Sequence, residues 1–234
     1  MREWFFSVRG VVVTAVLLTP IAALENSILP WAPFFVVQAV LALAIPLALK
    51  TSRFGSLKSV RGSPWLAGIV AAVLIQVVGG LFLVLLVPQL FGGLGETAAG
   101  TSTADISAAL MEMYKTAAER LSSSPETIQT AYMFMIFLWA AFGEELFYRG
   151  YMQGTLEKSL GFNRAMFISA GFFALRHATQ LLLLWPGYPV VAALAWIIFA
   201  FSFGLLMSYL YKRTNSLILP IFIHFIFNGL PLLG

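Results

Sequence analysis

The chain has 234 residues, of which 60% are hydrophobic and only 10% are charged. Soluble domains contain about 45–50% apolar and about 25% charged residues, so this composition is typical of an integral membrane protein. The chain has no cysteine, which excludes disulfides, thiolate nucleophiles and cysteine-ligated metals. The net charge of +4 does not indicate a nucleic-acid partner, because basic loops also orient membrane proteins.

Apolar runs of about 20 residues follow one another along the chain, and a run of this length crosses a bilayer core as a helix. These runs are Trp4–Leu24, Ile28–Leu49, Trp65–Val87, a run from near Glu126 that continues as a helix to about Gln153, Arg164–Trp185, Val190–Tyr211 and Leu217–Leu233. We therefore predict an all-α fold, a polytopic transmembrane helix bundle of about seven spans. Eight spans, one of them re-entrant or split, is the alternative count.

One long polar segment, Gly92–Glu126, separates the third run from the fourth. Its second half predicts an amphipathic helix that lies at the membrane interface or covers the bundle. The apolar face of this helix would carry Ile106, Leu110, Met113, Ala117 and Leu121, and the opposite face Glu112, Lys115, Glu119 and Arg120.

The basic residues predict the orientation, because Lys and Arg concentrate in cytoplasmic loops. Seven spans with the N-terminus in the cytoplasm place only Lys115 and Arg120 in outer segments. The inner segments then hold Arg2, Arg9, Lys50, Arg53, Lys58, Arg61, Lys158, Arg164, Lys212 and Arg213. We therefore predict a multi-pass protein of the cell membrane with a cytoplasmic N-terminus.

The stretch Gly143–Gly150 places two carboxylates and an arginine at the end of an apolar run. Ionisable side chains within membrane segments are candidates for function. Glu145 and Arg149 are four residues apart and share a helix face, so we interpret them as a pair. This pair either anchors a helix end at the headgroups or contributes to a site. Glu144 points about 100° away and has no partner nearby in the sequence.

Both histidines of the chain lie on later apolar runs. His177 follows Phe173 by four residues and has Arg176 beside it, which either snorkels or helps to bind an anionic group. His224 and Asn228 are also four residues apart and share a face. Each polar residue alone is explained by hydrogen bonds between helices. Their concentration in the later helices instead indicates a common site.

This set of residues fits the hydrolysis of a carbonyl compound such as a peptide bond. A carboxylate beside a histidine deprotonates water, and a histidine and an asparagine on one face donate to an oxyanion. Glu144, His177 and His224 also match a zinc shell, although no His-Glu-x-x-His motif is present. There is no Gly-x-Ser-x-Gly motif either, and we interpret Ser202 and Ser208 as packing hydroxyls.

Three motifs in order resemble those of the CPBP (Abi) family, which includes type II CAAX prenyl endopeptidases and bacteriocin-processing or self-immunity relatives. They are Glu144-Glu145-x-x-x-Arg149, Phe173-x-x-x-His177 and His224-x-x-x-Asn228. The resemblance covers about Ile128 to Gly234. It divides the chain into residues 1–126, with the N-terminal spans and the outer loop, and residues 127–234, a catalytic helix bundle.

The resemblance implies an intramembrane endopeptidase whose site opens toward the cytoplasm. Glu144 and His177 would activate the water, and His224 and Asn228 would form the oxyanion hole. Glu145, Arg149, Phe173 and Arg176 would orient the site or bind substrate. No cofactor is implied by the prenyl-protease branch, and zinc is the alternative. We expect the Glu144 carboxylate to lie about 6 Å or less from His177.

The expected partners are membrane lipids and a peptide or lipidated-protein substrate, and no nucleic acid. The main alternative is a non-catalytic membrane protein, such as an immunity factor that binds a peptide or a scaffold for other membrane proteins. A transporter with a proton-linked Glu and His pair is a third hypothesis, but the inverted repeats typical of transporters are not evident.

Overall fold

The computed structural model describes residues 2–17, 62–81, 115–116, 118–119, 122–135, 141–184 and 190–229. All regular elements in these residues are helices, which confirms the predicted all-α class. The predicted span Ile28–Leu49 lies outside the described residues, as does most of the predicted amphipathic helix. The number of spans stays a prediction. Within the described ranges, no helix combines the length and the apolar character that crossing a membrane requires.

The helices agree closely with the predicted runs in the second half of the chain. They are α1 (Arg2–Phe5), α2 (Ser63–Leu81), α3 (Pro125–Met135), a π-helix (Glu145–Gln153), α4 (Gly154–Leu160), α5 (Phe162–Leu184), α6 (Val190–Thr214) and α7 (Ile218–Gly229). The first predicted run is not one continuous helix, because a turn at Phe6 and Ser7 separates α1 from a second helical stretch, residues 8–17.

Local chemistry explains where several helices begin and end. The Ser124 hydroxyl accepts a hydrogen bond from the Thr127 N–H over 3.2 Å and caps α3, with Pro125 as its first residue. α4 ends at Gly161, whose φ of +77° is natural only for glycine. α6 ends before Asn215, whose φ of +49° asparagine tolerates, and α7 follows directly.

The π-helix is continuous with α4 and runs beside α6. Its wider turn is visible at its end, where the N–H of Gly154 donates to the carbonyl of Arg149, five residues back. Three side-chain contacts join it and α4 to α6, and each joins residues that are 55 apart in sequence. The pairs are Arg149 with Gly204, Gln153 with Ser208 and Glu157 with Lys212. A constant separation means that the two helices run in the same direction.

Two glycines lie where neighbouring helices approach each other closely. A Cβ on Gly204 would lie 3.1 Å from both Cα and Cβ of Ala170, so α5 and α6 cross there almost backbone to backbone. A Cβ on Gly68 would lie 2.8 Å from Ile223, so α2 meets α7 at that glycine. The buried core between these helices is rich in aromatic side chains, including Phe147, Tyr151, Phe173 and Phe203.

Candidate active site

Buried charged side chains meet where the π-helix, α5 and α7 come together. Glu144 and Glu145 stand at the start of the π-helix, Arg176 lies on α5 and His224 lies on α7. Each of these side chains is almost completely buried. Buried charge is expensive unless it is paired and hydrogen-bonded, so their partners define what the site can do.

Glu145 is the centre of this cluster. One oxygen, Oε1, accepts a hydrogen bond from Nη1 of Arg149 over 3.0 Å and lies 2.7 Å from Nδ1 of His224. An arginine can only donate, so the carboxylate of Glu145 is the acceptor, and Nδ1 of His224 carries the proton. The other ring nitrogen, Nε2, is thereby left facing away from Glu145.

Arg149 is held from three sides and has no exposed surface. Besides its pair with Glu145, Nη2 donates to the carbonyl of Gly204 over 3.2 Å. The guanidinium also lies 4.6 Å from the centre of the Phe173 ring, within the range of a cation–π contact. Because Gly204 has no side chain, its carbonyl is accessible to the guanidinium at this helix crossing.

Glu144 has a different partner from Glu145. Its Oε1 pairs with Nη1 of Arg176, a partner that lies 32 residues away in the sequence. The second oxygen, Oε2, lies 3.7 Å from Nε2 of His224, which is too long for a direct hydrogen bond. Among the described residues, Oε2 of Glu144 accepts no hydrogen bond.

The rings of both histidines lie close to the ring of Phe173. The His177 ring is 4.5 Å from the Phe173 ring, and the His224 ring is 5.9 Å from it. Nδ1 of His177 donates to the Phe173 carbonyl over 2.8 Å, because a carbonyl can only accept. This contact gives the four-residue spacing a physical role: it fixes the tautomer of His177 and leaves Nε2 able to accept a proton. The separation of about 6 Å between Glu144 and His177 stays a prediction.

Asn228 lies one turn after His224 on α7, as predicted, and is half-buried. The Glu145–Arg149 pair is confirmed, but its interpretation as a headgroup anchor is wrong, because neither side chain has exposed surface.

The zinc alternative has no preformed shell: among the described side chains, no three His, Asp or Glu residues converge as a metal site requires.

Sequence reasoning missed two contacts. Glu145 with His224 and Glu144 with Arg176 join residues that are 79 and 32 apart, and no local spacing reports such pairs. It also missed the aromatic side chain Phe203, whose ring lies 5.1 Å from the His224 ring. The apolar pattern of α6 gives no signal that separates Phe203 from its neighbours.

Comparison with known proteins gives one match. Residues 126–230 match the family model of type II CAAX prenyl endopeptidase Rce1-like proteins. No curated protein and no solved structure matches the chain. The match covers the π-helix and α5 to α7, which carry all eight predicted site residues. The resemblance drawn from the three motifs is thus confirmed for this part of the chain: residues 126–230 are similar to type II CAAX prenyl endopeptidase Rce1-like proteins.

Proposed function

We propose that the chain is an intramembrane endopeptidase in which Glu144 is the general base. The observation that carries this proposal is Oε2 of Glu144, which accepts no hydrogen bond from the part of the chain that the structure describes and lies 3.7 Å from Nε2 of His224. Two polar atoms at such a separation are commonly bridged by a water. A water held there would be polarised by the carboxylate of Glu144, whose other oxygen pairs with Arg176.

The proposed reaction begins with the transfer of a proton from this water to Glu144, assisted by Nε2 of His177. The water oxygen then attacks the carbonyl carbon of the peptide bond, and the carbonyl oxygen becomes an oxyanion. Finally, the proton passes to the nitrogen of the leaving amine as the carbon–nitrogen bond breaks. One water is consumed, and all groups of the protein return to their starting state.

His224 and Asn228 are the proposed donors to the oxyanion. For Nε2 of His224 to donate, the ring must be protonated on both nitrogens, and the Glu145 carboxylate at 2.7 Å stabilises that imidazolium. Asn228 on the same face of α7 adds a neutral amide donor. Glu145 is therefore a positioning residue that acts through His224, and Arg149 acts in turn through Glu145.

Arg176 and Phe173 complete the proposed site. Arg176 pairs with Oε1 of Glu144, which leaves the second oxygen of Glu144 beside His224. Phe173 packs against both histidines and covers the guanidinium of Arg149, which keeps bulk water from screening the charges. We assign residues 127–234 to this catalytic bundle and residues 1–126 to the N-terminal spans and the outer loop.

The proposed setting is the cell membrane, with about seven spans and the site toward the cytoplasm. Rce1-like proteins are membrane proteins, and the exposed apolar side chains of α2, such as Leu66 and Val78, fit hydrocarbon surroundings. The proposed substrate is a peptide or a lipidated protein that approaches from the bilayer. No cofactor and no nucleic acid are part of this proposal.

The test is cleavage of a fluorogenic peptide, with and without a prenyl group, by purified protein in lipid vesicles. We expect Glu144→Gln and Glu144→Ala each to lower kcat by about 10²–10⁴-fold, the usual contribution of a general base. Glu157→Gln, on α4 of the same continuous helix, is the matched control and should keep its activity. Activity that persists after exhaustive chelation would eliminate the zinc alternative.

The same variants test the non-catalytic alternative. If folded Glu144→Ala protein supports the cellular phenotype of the wild type, the endopeptidase proposal fails, and an immunity factor or a scaffold becomes the better explanation.

A further inference from the structure

Five buried side-chain atoms have no hydrogen-bond partner among the described residues. Such atoms are rare in folded proteins, and unseen ordered water is a common explanation for them. They are Oε2 of Glu144, Oε2 of Glu145, Nε of Arg149, Oε1 of Gln153 and Oγ of Ser208. All five belong to two neighbouring elements. Four are on the π-helix or on Glu144, the residue directly before it, and the fifth is on the facing part of α6. They therefore follow one line through the interior.

Ser208 departs from the usual behaviour of a hydroxyl within a helix. Ser202 and Thr214, on the same helix, each donate to the carbonyl four residues back, over 2.9 and 2.8 Å. The corresponding carbonyl for Ser208 is that of Gly204, which already accepts a hydrogen bond from Arg149. Ser208 is completely buried, so its hydroxyl needs another partner.

Gln153 presents a second unpaired atom beside Ser208. Its Nε2 donates to the backbone carbonyl of Ser208 over 3.2 Å. A carbonyl can only accept, which assigns the nitrogen to that side and leaves Oε1 as an acceptor on the other. A hydroxyl and an amide oxygen in one buried layer supply the two or more polar contacts that an internal water requires.

This layer connects the candidate site with a cavity. On one side, Arg149 lies one turn before Gln153 and reaches Glu145. On the other side is a cavity of about 340 Å³, lined by Gly154, Glu157, Lys158, Tyr211, Lys212 and Asn215. Gly154 directly follows Gln153, and Tyr211 is three residues beyond Ser208. In the sequence, Gln153 and Ser208 therefore lie between the residues of the candidate site and the residues that line the cavity, several of which are charged.

We propose that Gln153 and Ser208 bind internal water and that this layer supplies the candidate site with water from the cavity. The inference rests on the proposed hydrolysis, which consumes one water for each peptide bond. Aromatic side chains surround the site, and Phe173 and Phe203 give water no polar contact there. The fixed charge of Arg149 in the line favours water over hydronium, as buried arginines in water pores do.

Thermal unfolding of Ser208→Ala, compared with Ser202→Ala, tests the water site without any activity. Removing a hydroxyl that holds a water leaves other polar atoms unsatisfied, so Ser208→Ala should lower Tm by roughly 2–4 °C. Ser202→Ala, the same change on the same helix, should leave Tm nearly unchanged. An unchanged or raised Tm for Ser208→Ala would mean that the hydroxyl was buried dry, and the inference would be overturned.

Two further measurements complete the test. A wild-type structure at a resolution that shows ordered water should place one within hydrogen-bonding distance of Ser208 Oγ and Gln153 Oε1, and empty density there refutes the inference even if Ser208→Ala does not fold. In peptide cleavage, Ser208→Ala should lower kcat about tenfold, the equivalent of one hydrogen bond, at unchanged KM. Full activity of Glu144→Gln would instead refute the proposed function and leave the water site standing.

Discussion

The π-helix and α2 distribute their side chains in opposite ways. Along α2, large apolar residues are the exposed ones: Leu66 is 68% exposed, Leu74 is 56% and Val78 is 62%. Along the π-helix every residue is buried, and Glu145 and Arg149 have no exposed surface. Charge lies inside and apolar surface outside, the reverse of the pattern that water selects. The hydrocarbon surroundings that we propose would account for both helices at once.

The largest effect is expected from Arg149→Met, which leaves Glu145 as a buried carboxylate without its cation. Breaking one side of a buried ion pair costs about 3–5 kcal/mol of unfolding free energy. The matched control, Arg164→Met at an exposed position of α5, should change stability by less than about 0.5 kcal/mol. Thermal or denaturant unfolding in vesicles measures both. Equal stabilities of the two variants would mean that the buried charges do not hold the bundle together.

The next largest effect concerns the surroundings of α2. Leu74→Lys near the middle of this helix should oppose membrane insertion by about 2.5–3.5 kcal/mol, whereas Leu74→Phe should be nearly neutral. The measurement is the inserted fraction in a glycosylation-mapping assay. If Leu74→Lys inserts and folds as well as the wild type, the exposed face of α2 does not face hydrocarbon, and the contrast with the π-helix needs another explanation.

The helix crossing beneath Arg149 predicts a smaller effect. Gly204→Ala brings a methyl group to 3.1 Å from the Ala170 backbone and to 3.4 Å from Nη2 of Arg149. This overpacking should cost about 1–3 kcal/mol and weaken the contact of Arg149 with its carbonyl acceptor. Gly171→Ala on α5 meets nothing within 4 Å and should stabilise the protein by up to about 1 kcal/mol. Unfolding curves that rank the two variants in the opposite order would contradict the close approach of α5 and α6.

The smallest effect is expected between α4 and α6, where an ion pair is exposed to solvent. Lys212 and Glu157 form an ion pair whose side chains are 49% and 25% exposed. Lys212→Ala should therefore cost less than about 1 kcal/mol, and added salt should shrink that difference further. Unfolding at low and high ionic strength measures this. A loss of stability as large as that of Arg149→Met would show that solvent exposure does not determine how much each ion pair contributes.

Sequence reasoning identified most helices and the residues of the candidate site because both leave local patterns. Apolar runs mark α5, α6 and α7 to within a few residues, and the four-residue spacing of Glu145 and Arg149 reports their contact. Contacts between distant helices leave no such pattern. Glu144 pairs with Arg176 and Glu145 with His224 because of the way in which three helices pack against one another. The π-helical geometry also has no signature in the stretch that adopts it.

The pairing of the carboxylates with the two arginines has a consequence for charge conservation. Glu144 and Glu145 carry two negative charges and Arg149 and Arg176 carry two positive charges, so these four side chains balance. In the proposed reaction, His224 is protonated and adds one positive charge. When a water proton moves onto Glu144 and an oxyanion forms, one positive and one negative change in charge arise together within the same enclosure. The net charge of the enclosure is therefore constant throughout, and no counter-ion has to enter from the solvent.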